Sequence, residues 1–316
     1  MSEPAPETHL WDLMRGAMGT KALAIAADLR LSDALAAGPR PVTELAQATG
    51  SSPSTLHRIL RALASDGVFA EEQPGVFRNT KASELLCRES WAAFAHLFGS
   101  IFTEATNTLD PTVSDETFTE QFGTDFWSWL ETHPDERRSF DAAMAGGKEK
   151  SAEQLAELDW RPDETVIDIG GGNGALLREL TRLRPELRGI VFDLPETVRD
   201  EADFGDRIAF VAGSFFESVP AGDAYVLSRI LHDWSDERAG AILRTIRDAA
   251  RPGARLLLIE NVVADGNEPD GSKWLDLLML VLGGRERTEE EWRALLDGAG
   301  FVAHDVEDGL IQATCR

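Results

Sequence analysis

The chain has 316 residues, 43% of them hydrophobic, and a formal charge of −24 from 55 acidic against 31 basic residues. That length accommodates two domains or one large one, and so acidic a surface repels phosphate backbones and anionic membranes, which argues against nucleic acid or membrane as a partner of the whole molecule. No run approaches the roughly 18 apolar residues that a membrane span needs.

Met1-Ser2-Glu3-Pro4-Ala5-Pro6-Glu7 lacks the basic-then-apolar pattern of an export signal, so the expected location is the cytoplasm. Cys87 and Cys315 stand without a C-x-x-C pair or a His/Cys cluster. Two free thiols and no metal site are expected.

Residues 10–37 carry apolar positions at helical spacing, among them Leu23, Ile25, Ala26, Leu29, Leu31 and Leu35. Pro41-Val42-Thr43-Glu44-Leu45-Ala46 and Ser51-Ser52-Pro53-Ser54-Thr55 then introduce two short helices, the second with Leu56, Ile59, Leu60 and Leu63 on one face. Gly67-Val68-Phe69 and Gly75-Val76-Phe77 read as a small hairpin, completing a winged helix-turn-helix. Such a module reads DNA or serves self-association. His57, Arg58 and Arg61 suit DNA, but Glu71-Glu72 occupy the wing where a DNA reader carries Lys or Arg, so self-association is the expected use, with the apolar N-terminal helix as the partner surface.

Residues 100–150 read as connecting helices rich in Phe122, Phe126, Trp127, Trp129, Leu130, Phe140 and Met144. Core packing accounts for most of them. Phe140 and Met144, one helical turn apart, are candidates for a cleft.

From Thr165 the pattern changes to alternating strands and helices. Val166-Ile167-Asp168-Ile169 suits a strand covered on both faces, and Gly170-Gly171-Gly172-Asn173-Gly174 breaks it before the helical run Ala175-Leu176-Leu177-Arg178-Glu179-Leu180. Glycines there let a ligand lie against bare backbone at a helix N-terminus. Gly189-Ile190-Val191-Phe192 is a second strand ending in Asp193, where a ribose hydroxyl pair would be held. Gly170, Gly172 and Ala175 also satisfy G-x-G-x-x-A, so at this point a nicotinamide enzyme and a nucleoside-sulfonium enzyme are both open. Ile208-Ala209-Phe210-Val211, Ala224-Tyr225-Val226-Leu227 and Arg255-Leu256-Leu257-Leu258-Ile259 continue a doubly wound α/β domain.

The fourth of these strands runs out into Ser228-Arg229-Ile230-Leu231-His232-Asp233-Trp234-Ser235-Asp236. Ligands of open α/β sheets sit beyond the carboxyl ends of strands, which makes His232 a candidate acid-base residue.

Asp168-Ile169-Gly170-Gly171-Gly172-Asn173-Gly174, Phe192-Asp193-Leu194-Pro195, Leu231-His232-Asp233-Trp234-Ser235-Asp236 and Gly283-Gly284-Arg285-Glu286-Arg287-Thr288 occur in this order. With the winged-helix segment, the chain resembles, over nearly its whole length, the S-adenosylmethionine-dependent O-methyltransferases of the caffeate/hydroxyindole type, including bacterial natural-product enzymes. The resemblance implies an α/β fold, the class I methyltransferase Rossmann-like doubly wound sheet, with an N-terminal all-α/winged-helix dimerisation domain. It divides the chain into residues 1–100 for dimerisation, 101–150 as connecting helices that contribute to the acceptor pocket, and 151–316 for cofactor binding and catalysis.

The resemblance also implies roles. Asp168, Gly170, Gly172 and Gly174 would line the methionine end of S-adenosylmethionine, Asp193 would take the ribose hydroxyls, and Ser214 and Phe215 would flank the adenine. Leu194, Ser228 and Arg229 complete the cofactor set. His232 matches the general base, while Glu260 and Glu286 match the acids that orient it. Glu286 is the first choice as partner, Glu260 the second, and Asp233 is expected to point away. Phe126, Phe140, Met144, Trp274 and Met279 are the acceptor-pocket candidates, and they imply an apolar aromatic acceptor. Many plant members carry an acid where this chain has Ser214 and a lysine where it has Ser228, so contacts at those positions differ here.

A phenol ionises near pH 10 and an unperturbed histidine near 6.5, so His232 suits removal of a phenolic proton. The alternatives are a same-fold enzyme performing decarboxylation or hydroxylation, typical where the base is absent, and a winged-helix regulator with a small-molecule domain. A nicotinamide oxidoreductase finds no support beyond Asp193. A homodimer is expected, and the resemblance implies that residues near Leu10-Trp11 reach the opposite active site.

Overall fold

Two patterns of apolar spacing sort into two units, residues 1–107 with 127–146 and residues 108–126 with 147–316. The computed structural model describes residues 5–110, 117–162, 164–195, 197–198, 206–307 and 309–316. Residues 1–4, part of the segment read for an export signal, lie outside them.

In the first unit, helix Pro53–Ser65 begins as its sequence dictates: Pro53 occupies the first turn, where its missing N–H costs nothing, and Ser52 caps it by accepting from Thr55 N. Leu56, Leu60 and Leu63 bury the same face against Leu31, Leu45, Phe69 and Phe77. Strands β1 (Arg40–Pro41), β2 (Phe69–Gln73) and β3 (Val76–Asn79) form an antiparallel sheet in the order β1-β3-β2. Glu71 serves this wing internally. Its Oε1 accepts from Gly75 N at 2.7 Å and lies 3.3 Å from His57 Nε2, and the Gly75 N–H holds its carboxyl below the ordinary range.

Helix Pro6–Met14 buries none of its side chains. Leu10, Trp11, Leu13 and Met14 are each more than half exposed, so its apolar surface has no partner within the chain's described residues. Helix Glu89–Phe98 ends at Gly99, where a Cβ would come within 2.2 Å of Ala24 Cβ. From this helix His96 reaches Asp28 of helix Gly16–Asp28 at 2.8 Å and Glu136 of helix Pro134–Met144 at 3.2 Å.

The second unit is built on strands β4 (Thr165–Ile169), β5 (Arg188–Asp193), β6 (Ile208–Ala212), β7 (Ala224–Ser228), β8 (Arg255–Ile259), β9 (Phe301–Glu307) and β10 (Leu310–Cys315). Their order is β6-β5-β4-β7-β8-β10-β9, with the first five parallel and β10 antiparallel to both neighbours. Alternation of side chains explains the two apolar layers. Val166, Val226 and Leu257 join Leu176, Leu177 and Leu180 of helix Ala175–Leu183. Ile167, Tyr225, Leu227, Leu256 and Leu258 join Ile242, Leu243 and Ile246 of helix Asp236–Ala249. Each such fully buried side chain contributes roughly 1.5–3 kcal/mol, so the parallel strand ends are rigidly placed. The sequence reading found β4 to β8 and missed β9 and β10.

Candidate active site

The chain leaves β4 through a turn that only glycine tolerates at two points. Gly170 has φ +68° and a Cβ there would meet Ile230 Cδ1 at 2.5 Å. Gly172 has φ +58°, and among the described residues nothing lies within 4 Å of the place a Cβ would take. Gly174, at φ +75°, caps helix Ala175–Leu183. The loop is tied to β5 by Asp193, whose Oδ2 accepts from Gly172 N at 2.8 Å and whose Oδ1 accepts from Leu194 N at 2.7 Å. Leu194 itself is 37% exposed.

Beneath the turn, Asp168 is 1% exposed, and its Oδ2 has no hydrogen-bond partner. Burial pushes its carboxyl up to about 7, with Asp193 adding to the rise and Lys148 opposing it. Beyond β6, Ser214 closes a turn by accepting from Phe216 N at 3.3 Å, and Phe215 packs edge-on against Trp234 at 6.0 Å between ring centres.

At the end of β7, Ser228 is buried and Arg229 takes φ +58°, a left-handed conformation that costs a residue with a Cβ. This twist turns the chain off the sheet into the short helical turn Leu231–Asp233. Glu260, just beyond β8, holds the turn: its Oε1 accepts from Ile230 N at 3.1 Å and from Leu231 N at 2.8 Å. The second-choice partner of His232 is therefore a cap for the loop that carries it.

His232 is 7% exposed, and its Nδ1 lies 2.8 Å from Oε1 of Glu286, which is 2% exposed. Asn261 Nδ2 donates to the same oxygen at 3.0 Å, and Glu286 N donates to Asp276 Oδ1 at 2.8 Å. Asp233 does not point away as expected. The tight turn folds its carboxylate back, with Oδ1 3.5 Å from His232 Nε2. Burial by itself disfavours the imidazolium, but Asp233, Glu260 and Glu286 outweigh it and push His232 up to about 9. Burial also raises Asp233 to about 7 against the pull of His232.

Arg287 was quoted only as part of a motif, yet it clamps the loop. Fully buried, it donates from Nη1 to Leu231 O at 3.1 Å, from Nη2 to Trp234 O at 2.9 Å and from Nε to Asp236 Oδ1 at 2.9 Å. Asn261 and Arg287 carried no spacing signal, since both act across the fold.

The acceptor candidates divide between the units. In the first, Phe140 packs edge-on against Trp127 at 5.4 Å, and Met144 ends the same helix, half-buried. In the second, Phe126 is buried against Phe118 at 5.5 Å. Helix Ser272–Leu282 carries Met279, buried, and Trp274, 67% exposed. The arrangement in the second unit brings together a bare glycine turn, a carboxylate at each of two strand ends and a buried histidine-glutamate pair.

Comparison with known proteins identifies the family. Residues 102–302 match the O-methyltransferase domain, and residues 11–89 match the O-methyltransferase dimerisation domain. The phenazine O-methyltransferase PhzM of Lysobacter antibioticus is 40% identical over 94% of this chain and 91% of its own. The 3-amino-4-hydroxybenzoate 4-O-methyltransferase of Streptomyces cremeus is 37% identical over 99% of this chain and 92% of its own. Among solved structures, LaPhzM superposes with a TM-score of 0.91 at 38% identity, covering 99% of this chain and 100% of the other. NcsB1 from neocarzinostatin biosynthesis, solved with S-adenosyl-L-homocysteine and 1,4-dihydroxy-2-naphthoic acid, has a TM-score of 0.79 at 31% identity over 95% and 96% of the two chains. The doubly wound sheet is that of class I methyltransferases, and the chain belongs to the O-methyltransferase family.

Proposed function

We propose that this protein transfers a methyl group from S-adenosylmethionine to a phenolic hydroxyl of an aromatic small molecule in bacterial natural-product biosynthesis, with His232 as general base. The observation that carries the reading is the His232–Glu286 pair, held at 2.8 Å beside the glycine turn of β4. The aromatic acceptor is supported by the relatives, which act on 3-amino-4-hydroxybenzoate or were solved with a dihydroxynaphthoic acid.

The residues present fit this donor. Asp168 Oδ2, buried without a hydrogen-bond partner, suits a cationic group, and the open space at Gly172 leaves room for a ligand against the backbone. Asp193 would take the ribose hydroxyls with its remaining lone pairs. When bound, S-adenosylmethionine supplies a methyl group activated by its cationic sulfur.

The protein's own work is alignment and proton removal. His232 Nε2, the ring nitrogen that does not face Glu286 and lies 3.5 Å from Asp233 Oδ1, would take the proton of the acceptor hydroxyl. Glu286 fixes the Nδ1–H tautomer and stabilises the imidazolium that results. Glu260 and Arg287 hold the loop that carries this nitrogen. A cation held near Asp168 would oppose the charge of the imidazolium and so favour the neutral base.

In this reading residues 1–100 join two copies into a homodimer, residues 101–150 are connecting helices that also contribute side chains to ligand binding, and residues 151–316 carry most of the donor site and the acid-base pair. Trp274 and Met279 are the candidates for acceptor contact on helix Ser272–Leu282. No helix among the described residues is long and apolar enough to cross a membrane, and we place the enzyme in the cytoplasm with Cys87 and Cys315 reduced.

The test is methyl-labelled S-adenosylmethionine offered with a panel of phenolic and aminophenolic acids. Label should appear as an aryl methyl ether, and His232→Ala should lower kcat by about 10²–10⁴-fold. No label in any hydroxyl, together with no binding of S-adenosylhomocysteine, would sink the proposal.

A further inference from the structure

Lys148 opens helix Lys148–Ala156 and turns inward, half-buried, instead of lying along the acidic surface. Its Nζ donates to Ser228 Oγ at 3.2 Å, at the end of β7. Among the described residues it forms no ion pair, although Asp168, Glu260 and Asp233 all favour its ammonium electrostatically. Burial is the stronger influence and lowers its pKa, with Arg229 acting in the same direction.

Asp168 has the mirror-image condition, a buried carboxylate with one oxygen unpartnered. A half-buried ammonium with one hydroxyl contact and a buried carboxylate with a free oxygen, within each other's field and not paired, leave two desolvated charges to be satisfied. A ligand carrying both a carboxylate and an ammonium satisfies both at once.

We infer that Lys148 binds the carboxylate of the methyl donor's amino-acid end, opposite Asp168, so that the two residues read that end as a zwitterion. The inference rests on the donor proposed above. Of the three donors on Nζ, one is spent on Ser228 and two remain for a ligand. A charge-assisted contact of this kind sets affinity for donor and demethylated product alike and leaves the nucleoside end to Asp193.

The experiment is calorimetry on the full-length protein with two ligands, S-adenosylhomocysteine and 5′-methylthioadenosine, which keeps the nucleoside and lacks the amino-acid end. Lys148→Met should weaken S-adenosylhomocysteine about tenfold or more and change 5′-methylthioadenosine less than about twofold. Lys148→Gln, which keeps a polar group in the same space, should show the same selectivity, and it serves where the methionine variant does not fold. Equal weakening of both ligands, or S-adenosylhomocysteine affinity within twofold of the unaltered protein, would overturn the assignment. If the unaltered protein binds neither ligand, the donor reading fails and this one with it.

Discussion

Glu286 Oε1 lies 2.8 Å from His232 Nδ1, across a sequence separation of 54 residues. The contact leaves Nε2 as the working nitrogen and, with Asp233 and Glu260, raises the histidine to about 9. A base works only when neutral, so kcat/KM for the acceptor should rise with pH through a limb above the ordinary 6.5. Glu286→Gln removes one of the raising charges. Its limb should move to lower pH while the plateau drops about 10–100-fold, the usual cost of losing an orienting partner. The same shift bears on stability. His232 is raised, so its contribution is fully present below pH 6.5 and is lost as pH climbs through about 9. A limb unmoved by Glu286→Gln would separate the glutamate from the titrating base.

Gly284 supports the same loop without touching the chemistry. A Cβ at this position would lie 2.2 Å from His232 O and 2.9 Å from Asp233 Cα, backbone atoms that cannot step aside. Gly284→Ala should cost about 1–3 kcal/mol of stability, as overpacking does, and should lower kcat far more than it changes donor affinity. Denaturant unfolding and donor titration check the two parts. Wild-type kcat in this variant would show that the loop has slack the packing denies.

His96 offers a pH-dependent contact in the first unit. Its Nδ1 faces Asp28 at 2.8 Å and its Nε2 faces Glu136 at 3.2 Å, and only the imidazolium can donate to both. Burial opposes the charge, but the two carboxylates prevail and the histidine is raised. A raised histidine contributes stability that is present below its ordinary pKa and fades as pH rises through the elevated one. The deficit in melting temperature of His96→Gln should therefore be larger at pH 6 than at pH 9. Equal deficits would mean that shape, not charge, holds these helices.

The apolar N-terminal surface predicts association. Trp11 is 57% exposed, Met14 68% and Met18 63%, and burying each such side chain contributes roughly 1.5–3 kcal/mol. Light scattering at micromolar concentration should give twice the 34.6 kDa of one chain. Trp11→Lys combined with Met14→Lys should give the single-chain mass. A monomeric unaltered protein would remove the homodimer from the reading.

Much of the second unit was legible because local pattern and tertiary role coincide. Val166, Ile167 and Ile169 are buried on both faces, so β4 reads as an unbroken apolar run, and its exit needs glycine at φ values that few other residues accept. Strand β9 has no such run. His304, Asp305 and Glu307 are exposed near its end at the sheet edge, so no apolar alternation marks it. The relation of Asp233 to His232 was misjudged because neighbours in an extended chain diverge, whereas the tight turn Leu231–Asp233 brings them to 3.5 Å. Lys148 and Ser228 stand 80 residues apart, and nothing in either neighbourhood marks the pair. Contacts of that kind exist only once the sheet has placed both ends.

Strand β10 sits between β8 and β9 yet follows both in the chain. A nascent polypeptide can pair β4 to β8 in turn, but the slot beside β8 stays open until residues 310–315 emerge. Glu260 N donates to Gly309 O at 2.9 Å, at the entrance to that last strand. The support beneath the histidine loop therefore depends on a pairing between segments about 50 residues apart in the chain. The acid-base loop beside β7 is thus braced by a backbone contact that exists only when the antiparallel strand β10 has taken its place against β8.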